Sequence, residues 1–148
     1  ACDMSDDIKD LKKYYKIIST ENLDAIFGSR FVSGTIVKDY PLIKLILNRI
    51  FNNIVRILFF TKYNDFTNGF KMYNKTTLKK LLPIVSENFN VFLEIPLKII
   101  SRKYSYKTIP INYYNRMIGV SKFEIKELGS MYLFTLLYCL LERILLKK

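Results

Sequence analysis

The sequence contains no histidine. That excludes Ser-His-Asp and Cys-His nucleophile chemistry, because both need an imidazole to take the proton. Any acid–base work falls to carboxylates, lysine or tyrosine. Cysteine is nearly absent too: Cys2 and Cys139 stand far apart and make neither a disulfide framework nor a zinc cluster. Five glycines and four prolines in 148 residues are too few for a linker or a disordered chain. The acidic start does not read as a signal peptide, which would be basic and then apolar. No internal repeat or low-complexity segment is present.

Acidic residues become scarce after residue 30. Residues 1–30 hold six acids against five bases, whereas the remainder holds seven acids against nineteen bases. The net charge of +11 therefore sits on the later part of the chain. Such a balance suits a nucleic acid, an anionic membrane surface or a phosphorylated substrate. A nucleic-acid partner would need lysines clustered with aromatics on one face. Here the charge lies on helix faces with broad apolar backs, so no nucleic-acid partner is expected.

Half of the residues are hydrophobic, enough for the core of one domain. Periodicity predicts a first helix over about 7–19, capped by Ser5 or Asp6, with Leu11, Tyr14, Tyr15 and Ile18 as its apolar stripe. A buried strand over 24–27 runs into Gly28-Ser29-Arg30, and a strand end of this kind is where α/β proteins place ligand-contacting loops. After a loop over 31–40, Pro41 opens a long helix over 42–60. Its polar positions, Lys44, Asn48, Arg49, Asn52, Asn53 and Arg56, form one face without an acid. A basic face opposite a wide apolar one suits a membrane interface or an ordinary core helix.

A turn over 61–67 precedes a short strand over 68–73. Asn74 or Thr76 caps a helix over 77–82. Another helix is expected from about Phe92, with Glu94 near its start and Pro96 in the first turn. The last strand, over 108–113, contains a proline, which points to an edge or a strand end. A terminal helix over about 124–146 includes the charge-free run Leu128–Leu141. That run is shorter than the roughly 20 residues a spanning helix needs. It reads as an interfacial or packed helix, or as the start of a longer span.

Between the last strand and the last helix lies R-M-I-G-V-S-K, with Arg116, Ser121 and Lys122 around Gly119 and no acid between Glu94 and Glu124. A guanidinium fork, an ammonium and a hydroxyl on a flexible loop suit phosphate oxygens. Three further patterns precede it in order: C-D-M-S-D-D at the start, G-S-R at 28–30, and D-F-T-N-G-F-K at 65–71. L-E-I-P-L, around Glu94, follows them.

Taken together, these patterns resemble the C-terminal half of a family-2 glycosyltransferase with the GT-A fold. They are closest to the branch of dolichyl-phosphate mannose synthases and polyprenyl-phosphate glycosyltransferases. The resemblance covers nearly the whole chain. It implies an α/β fold: the C-terminal part of a Rossmann-like mixed sheet with flanking helices. The catalytic portion would run over 1–123 and an apolar interfacial helix over 124–148. The chain opens without a methionine and reads as part of a longer protein, with the nucleotide-binding half expected before Ala1.

The resemblance also implies roles. Asp3 matches the second acid of the family's metal-binding Asp-x-Asp turn; Ala1 takes the place of the first acid, with Ser5 or Asp6 as substitute ligands. The metal would be Mg²⁺ or Mn²⁺, which prefer oxygen ligands. Ser29, Arg30 and Lys71 would contact donor or acceptor phosphate, with Asn68 and Lys71 replacing the family's Ser and Arg. Gly69 would allow close backbone approach or a positive φ. Asp65 would position an acceptor or structure its loop. Glu94 would have a raised pKa, act as a base or pair with a cation. Arg116, Ser121 and Lys122 would hold the acceptor phosphate.

The implied partners are a nucleotide-sugar donor (a GDP- or UDP-sugar), a polyisoprenyl phosphate and a membrane surface, with the protein on the cytoplasmic face. A saccharide hydroxyl as acceptor is the alternative, and it would require Asp65 or Glu94 as general base. A non-catalytic membrane-bound remnant or partner subunit is the third reading.

Overall fold

A computed structural model describes residues 9–114 and 125–145. Asp3, Ser5, Asp6, Arg116, Ser121 and Lys122 lie outside the described residues. A small mixed sheet with flanking helices forms the frame, compatible with part of a Rossmann-like fold.

Strand β1 (Ala25–Ser29) is the central strand and every residue in it is buried. It pairs antiparallel with β3 (Lys71–Tyr73) and parallel with β4 (Tyr106–Pro110). The sheet order β3-β1-β4 puts β4 at an edge and Pro110 at its last position, where a missing N–H costs no ladder bond. Alternation along β1 divides the core. Ala25 and Phe27 face the main cluster with Val55, Phe59, Phe66, Leu93 and Leu97. Ile26 faces the other way, onto Tyr14, Ile109 and Ile111.

Helix α1 (Lys9–Thr20) covers that second face through Tyr14, Ile17 and Ile18. Leu11 and Tyr15, expected in its stripe, are exposed. Gly28 is required where α1 and β3 meet β1. A Cβ there would lie 2.6 Å from the Tyr14 hydroxyl and 2.7 Å from the Phe70 carbonyl.

The other face is covered by α2 (Leu42–Phe59), α4 (Val91–Ser101) and α5 (Ile125–Leu145). A short helix, α3 (Lys75–Lys80), is capped by Asn74, whose side chain accepts from the Thr76 amide. A two-residue parallel pair, β2 (Val37–Lys38) with β5 (Tyr113–Tyr114), ties the 31–40 loop to the end of the last strand segment.

Helix α4 begins at Val91, so Pro96 sits inside the helix, beyond its first turn. Its missing N–H releases the Phe92 carbonyl four residues back. Among the described residues no helix is long and apolar enough to cross a membrane.

Helix α2 does not bury its apolar face as a core helix with a solvated polar side would. Part of its polar face points inward: Asn52 is fully buried, and Asn48 and Arg49 are half-buried. The apolar side points out, with Leu42, Ile43, Ile46, Ile50, Ile54 and Ile57 each 46–72% exposed. The helix covers the core with Val55 and Phe59, and its asparagines hold a turn described below.

Candidate functional site

The end of β1 and the turn over 61–68 build one buried polar cluster. Arg30 leaves β1 with only 7% of its surface exposed, against a fully buried Asp65. Arg30 Nε donates to Asp65 Oδ2 at 2.9 Å and Nη2 donates to Oδ1 at 2.7 Å. The Arg30 amide also donates to Oδ2, at 2.9 Å. Both carboxylate oxygens are therefore occupied by one residue. Burial alone would lower the Arg30 pKa, but the hydrogen bonds and charge of Asp65 outweigh it, so the guanidinium stays charged. Three rings surround it: Phe31 and Tyr113 at 5.3 Å and Tyr40 at 5.5 Å from Cζ.

Helix α2 fixes the turn that carries Asp65. Asn52 Oδ1 accepts from the Phe66 amide at 2.6 Å, and Asn52 Nδ2 donates to the Asn48 carbonyl at 2.8 Å. Asn48 Nδ2 donates to Thr67 Oγ1, which also accepts from Arg30 Nη2 at 3.3 Å. Arg49 lies over the Phe31 ring at 4.3 Å and donates from Nη1 to the Asn64 carbonyl at 2.9 Å. The Tyr63 hydroxyl lies 3.0 Å from the Gly28 carbonyl and 2.5 Å from that of Asp65, closing the turn on β1.

The residues expected at the site fare differently. Ser29 is fully buried; its hydroxyl donates to Asn64 Oδ1 at 2.6 Å and accepts from the Phe31 amide at 3.1 Å. Asp65 structures the loop by holding Arg30. The Lys71 ammonium donates to the carbonyls of Phe66 at 3.1 Å, Phe92 at 3.2 Å and Asn68. The Phe92 carbonyl is the one Pro96 releases. Burial lowers the Lys71 pKa to about 7, Asp65 opposing and Arg30 adding to the shift. Gly69 permits close approach without a positive φ, for a Cβ there would lie 2.9 Å from the Phe92 ring.

Glu94 is fully buried but lies in a different network. It accepts from the Val85 amide at 3.0 Å and the Ser86 amide at 2.8 Å, and pairs with Lys98 at 2.9 Å. Burial alone would raise its pKa. Hydrogen bonds from Ser86, Lys98 and Val85 outweigh it and hold the carboxyl below its ordinary value. Of the three alternatives for Glu94, the structure shows the pairing with a cation, while the raised pKa is corrected: Lys98 and two amides stabilise the charged form. Lys98 also faces Glu142 of α5 at 3.5 Å, so Glu94 joins α4, α5 and the 85–86 segment.

Among the described residues no group of three or more His, Cys, Asp or Glu could hold a metal. Asp3 and Ser5, the metal ligands expected from the sequence, lie outside them.

From the sequence, Asn48, Arg49 and Asn52 belong to a solvated polar face, whereas in the structure they hold the site's turn. The signal available was the i, i+4 pair of asparagines, side by side on the helix face presented to the turn. Beside Arg49 opens a cleft of about 480 Å³, lined by Phe31, Val37, Asp39, Tyr40, Leu45 and Arg49.

No family model matches the sequence. It is 30% identical over 101 residues to the polyprenol monophosphomannose synthase of Mycolicibacterium smegmatis. That alignment covers 67% of this chain and 38% of the relative, so the chain matches less than half of its relative's length. The likeness supports a glycosyltransferase-like relationship.

Proposed function

We propose that this chain is the acceptor-side part of a polyprenyl-phosphate glycosyltransferase. It would move a sugar from a GDP- or UDP-sugar to a polyisoprenyl phosphate, at a membrane surface and with inversion. The observation that carries this is the commitment of both candidate bases. Asp65 is consumed by Arg30, and Glu94 by Lys98 and two backbone amides. A saccharide hydroxyl needs a base, because its pKa lies far above neutral. A phosphate acceptor is already an anion and needs none.

The reaction balances on that basis. An acceptor phosphate oxygen forms the bond to the anomeric carbon from the face opposite the leaving group. The bond from that carbon to the donor diphosphate breaks, and the nucleoside diphosphate leaves with the electron pair. The protein's task is to orient two anions and stabilise the leaving one. The cationic groups proposed to meet the anions include Arg116 and Lys122, outside the described residues, with Ser121 as a hydroxyl partner, whereas the charge of Arg30 is already matched by Asp65. A Mg²⁺ or Mn²⁺ at Asp3 would neutralise the diphosphate when bound.

Membrane association is supported by the outward leucines and isoleucines of α2, which are joined by Leu133, Phe134, Leu137 and Leu141 on α5. Exposed apolar stripes on a chain of charge +11 suit an anionic bilayer, on the cytoplasmic face. The test is turnover by the native protein in membranes. Radiolabelled sugar should pass to a polyisoprenyl phosphate and not to saccharides. Transfer to a saccharide hydroxyl alone would replace this reading with the second one, and no transfer with any donor would favour a non-catalytic partner.

A further inference from the structure

Two guanidiniums lie near one carboxylate at this site. Arg30 and Arg49 both approach the Phe31 ring, at 5.3 and 4.3 Å. Asp65 is the acid whose charge acts on both, and its two oxygens are taken by Arg30. Among the described residues Arg49 makes no ion pair, and its one hydrogen bond goes to a neutral carbonyl. One positive charge is left over, and it sits on the more accessible of the two groups. Burial and the charges of Arg56 and Arg30 press the Arg49 pKa downward against the pull of Asp65. An anion would relieve that pressure.

Arg49 also lines the cleft described above, whose other walls are mostly apolar: Phe31, Val37, Tyr40 and Leu45. Asp39 stands at its exposed edge, where solvent screens the charge. Leu45 and Arg49 belong to α2, so this cleft lies against the helix that also carries the exposed isoleucines. A cation within an apolar cleft beside an apolar helix face matches a ligand with a phosphate head and a hydrocarbon tail.

We infer that Arg49 is the guanidinium that contacts the acceptor phosphate, and that Arg30, locked by Asp65, supports the site from behind. This rests on the polyprenyl-phosphate reading and assigns a contact that reading leaves open. The phosphate of a nucleotide-sugar donor shares the chemistry, so the experiment separates the two sources.

Phenylglyoxal modification of the unaltered protein, mapped by mass spectrometry, reads Arg49 directly. Citronellyl phosphate, a short isoprenyl phosphate, should protect Arg49, whereas GDP-mannose and UDP-glucose should not. In parallel, Arg49→Gln should weaken citronellyl phosphate binding tenfold or more, about the value of a lost charged hydrogen bond. Arg49→Lys should recover part of that loss, because it keeps the charge without the fork. Protection by the nucleotide sugars alone would assign Arg49 to the donor and overturn the inference. Citronellyl phosphate that binds without protecting Arg49 would overturn it too, while leaving the polyprenyl-phosphate reading intact. No binding of citronellyl phosphate at all would overturn both.

Discussion

Arg30 holds Asp65 with both prongs of its fork, Nε to Oδ2 at 2.9 Å and Nη2 to Oδ1 at 2.7 Å, inside the protein. The pair joins the end of the central strand to the turn that α2 anchors. Removing one partner leaves the other charge buried and alone. Asp65→Ala should therefore cost about 3–5 kcal/mol. Asp65→Asn should cost less, because an amide oxygen still accepts from Nε. Urea denaturation of both variants checks the order, and equal stability of Asp65→Ala and the unaltered protein would refute it.

Lys71 gives a pH signature. Its folded pKa of about 7 lies below the ordinary lysine value of 10.5. Between those two values the unfolded chain binds more protons, so stability should rise with pH across about 7 to 10.5. Lys71→Met should flatten that rise. Denaturation midpoints at pH 7, 8.5 and 10 measure it, and an unchanged slope in the variant would count against the buried ammonium.

Glu94 behaves in the opposite sense. Its folded pKa is held below the usual carboxylate value, so its stabilisation is complete above that value and disappears as acid protonates it. Glu94→Ala should destabilise by about 3–5 kcal/mol, because buried Lys98 would lose its 2.9 Å ion pair and keep Glu142 at 3.5 Å and the neutral carbonyls of Leu81 and Pro83. Glu94→Gln should keep the amide contacts in part and reduce turnover without abolishing it. Complete loss of turnover in a folded Glu94→Gln protein would restore Glu94 as a base.

The outward face of α2 separates folding from membrane binding. Ile43 and Ile57 are 72% and 71% exposed. Replacing both with serine should change stability by no more than about 0.5 kcal/mol each. The same double variant should lose flotation with anionic vesicles. Flotation equal to that of the unaltered chain would show that this face does not touch lipid.

Much of the frame was legible from periodicity and breakers. The helix at 42–59, the strand ending in Gly28-Ser29, the Asn74 cap and the terminal helix all appear close to the expected positions. The direction of α2 was not legible. Hydrophobic patterning leaves the apolar side either in the core or at a membrane surface; what decides it is that Asn48 and Asn52 hydrogen-bond the 65–67 turn, so the isoleucines face out. The partners of Lys71 and Glu94 were hidden for a related reason. Each depends on contacts distant in sequence: the Phe92 carbonyl freed by Pro96, and the Val85 and Ser86 amides. Charge type predicts a phosphate contact for Lys71, and packing gives it backbone carbonyls instead; for Glu94, pairing with a cation is among the readings, and Lys98 one turn on supplies it.

The proposed function stands on recognition of an isoprenyl group through its phosphate. Calorimetry with citronellyl phosphate and citronellol measures that directly. The phosphate should bind with an affinity that falls as salt rises, and the alcohol should show no detectable heat. Equal binding of the two, or binding of the alcohol alone, would contradict it.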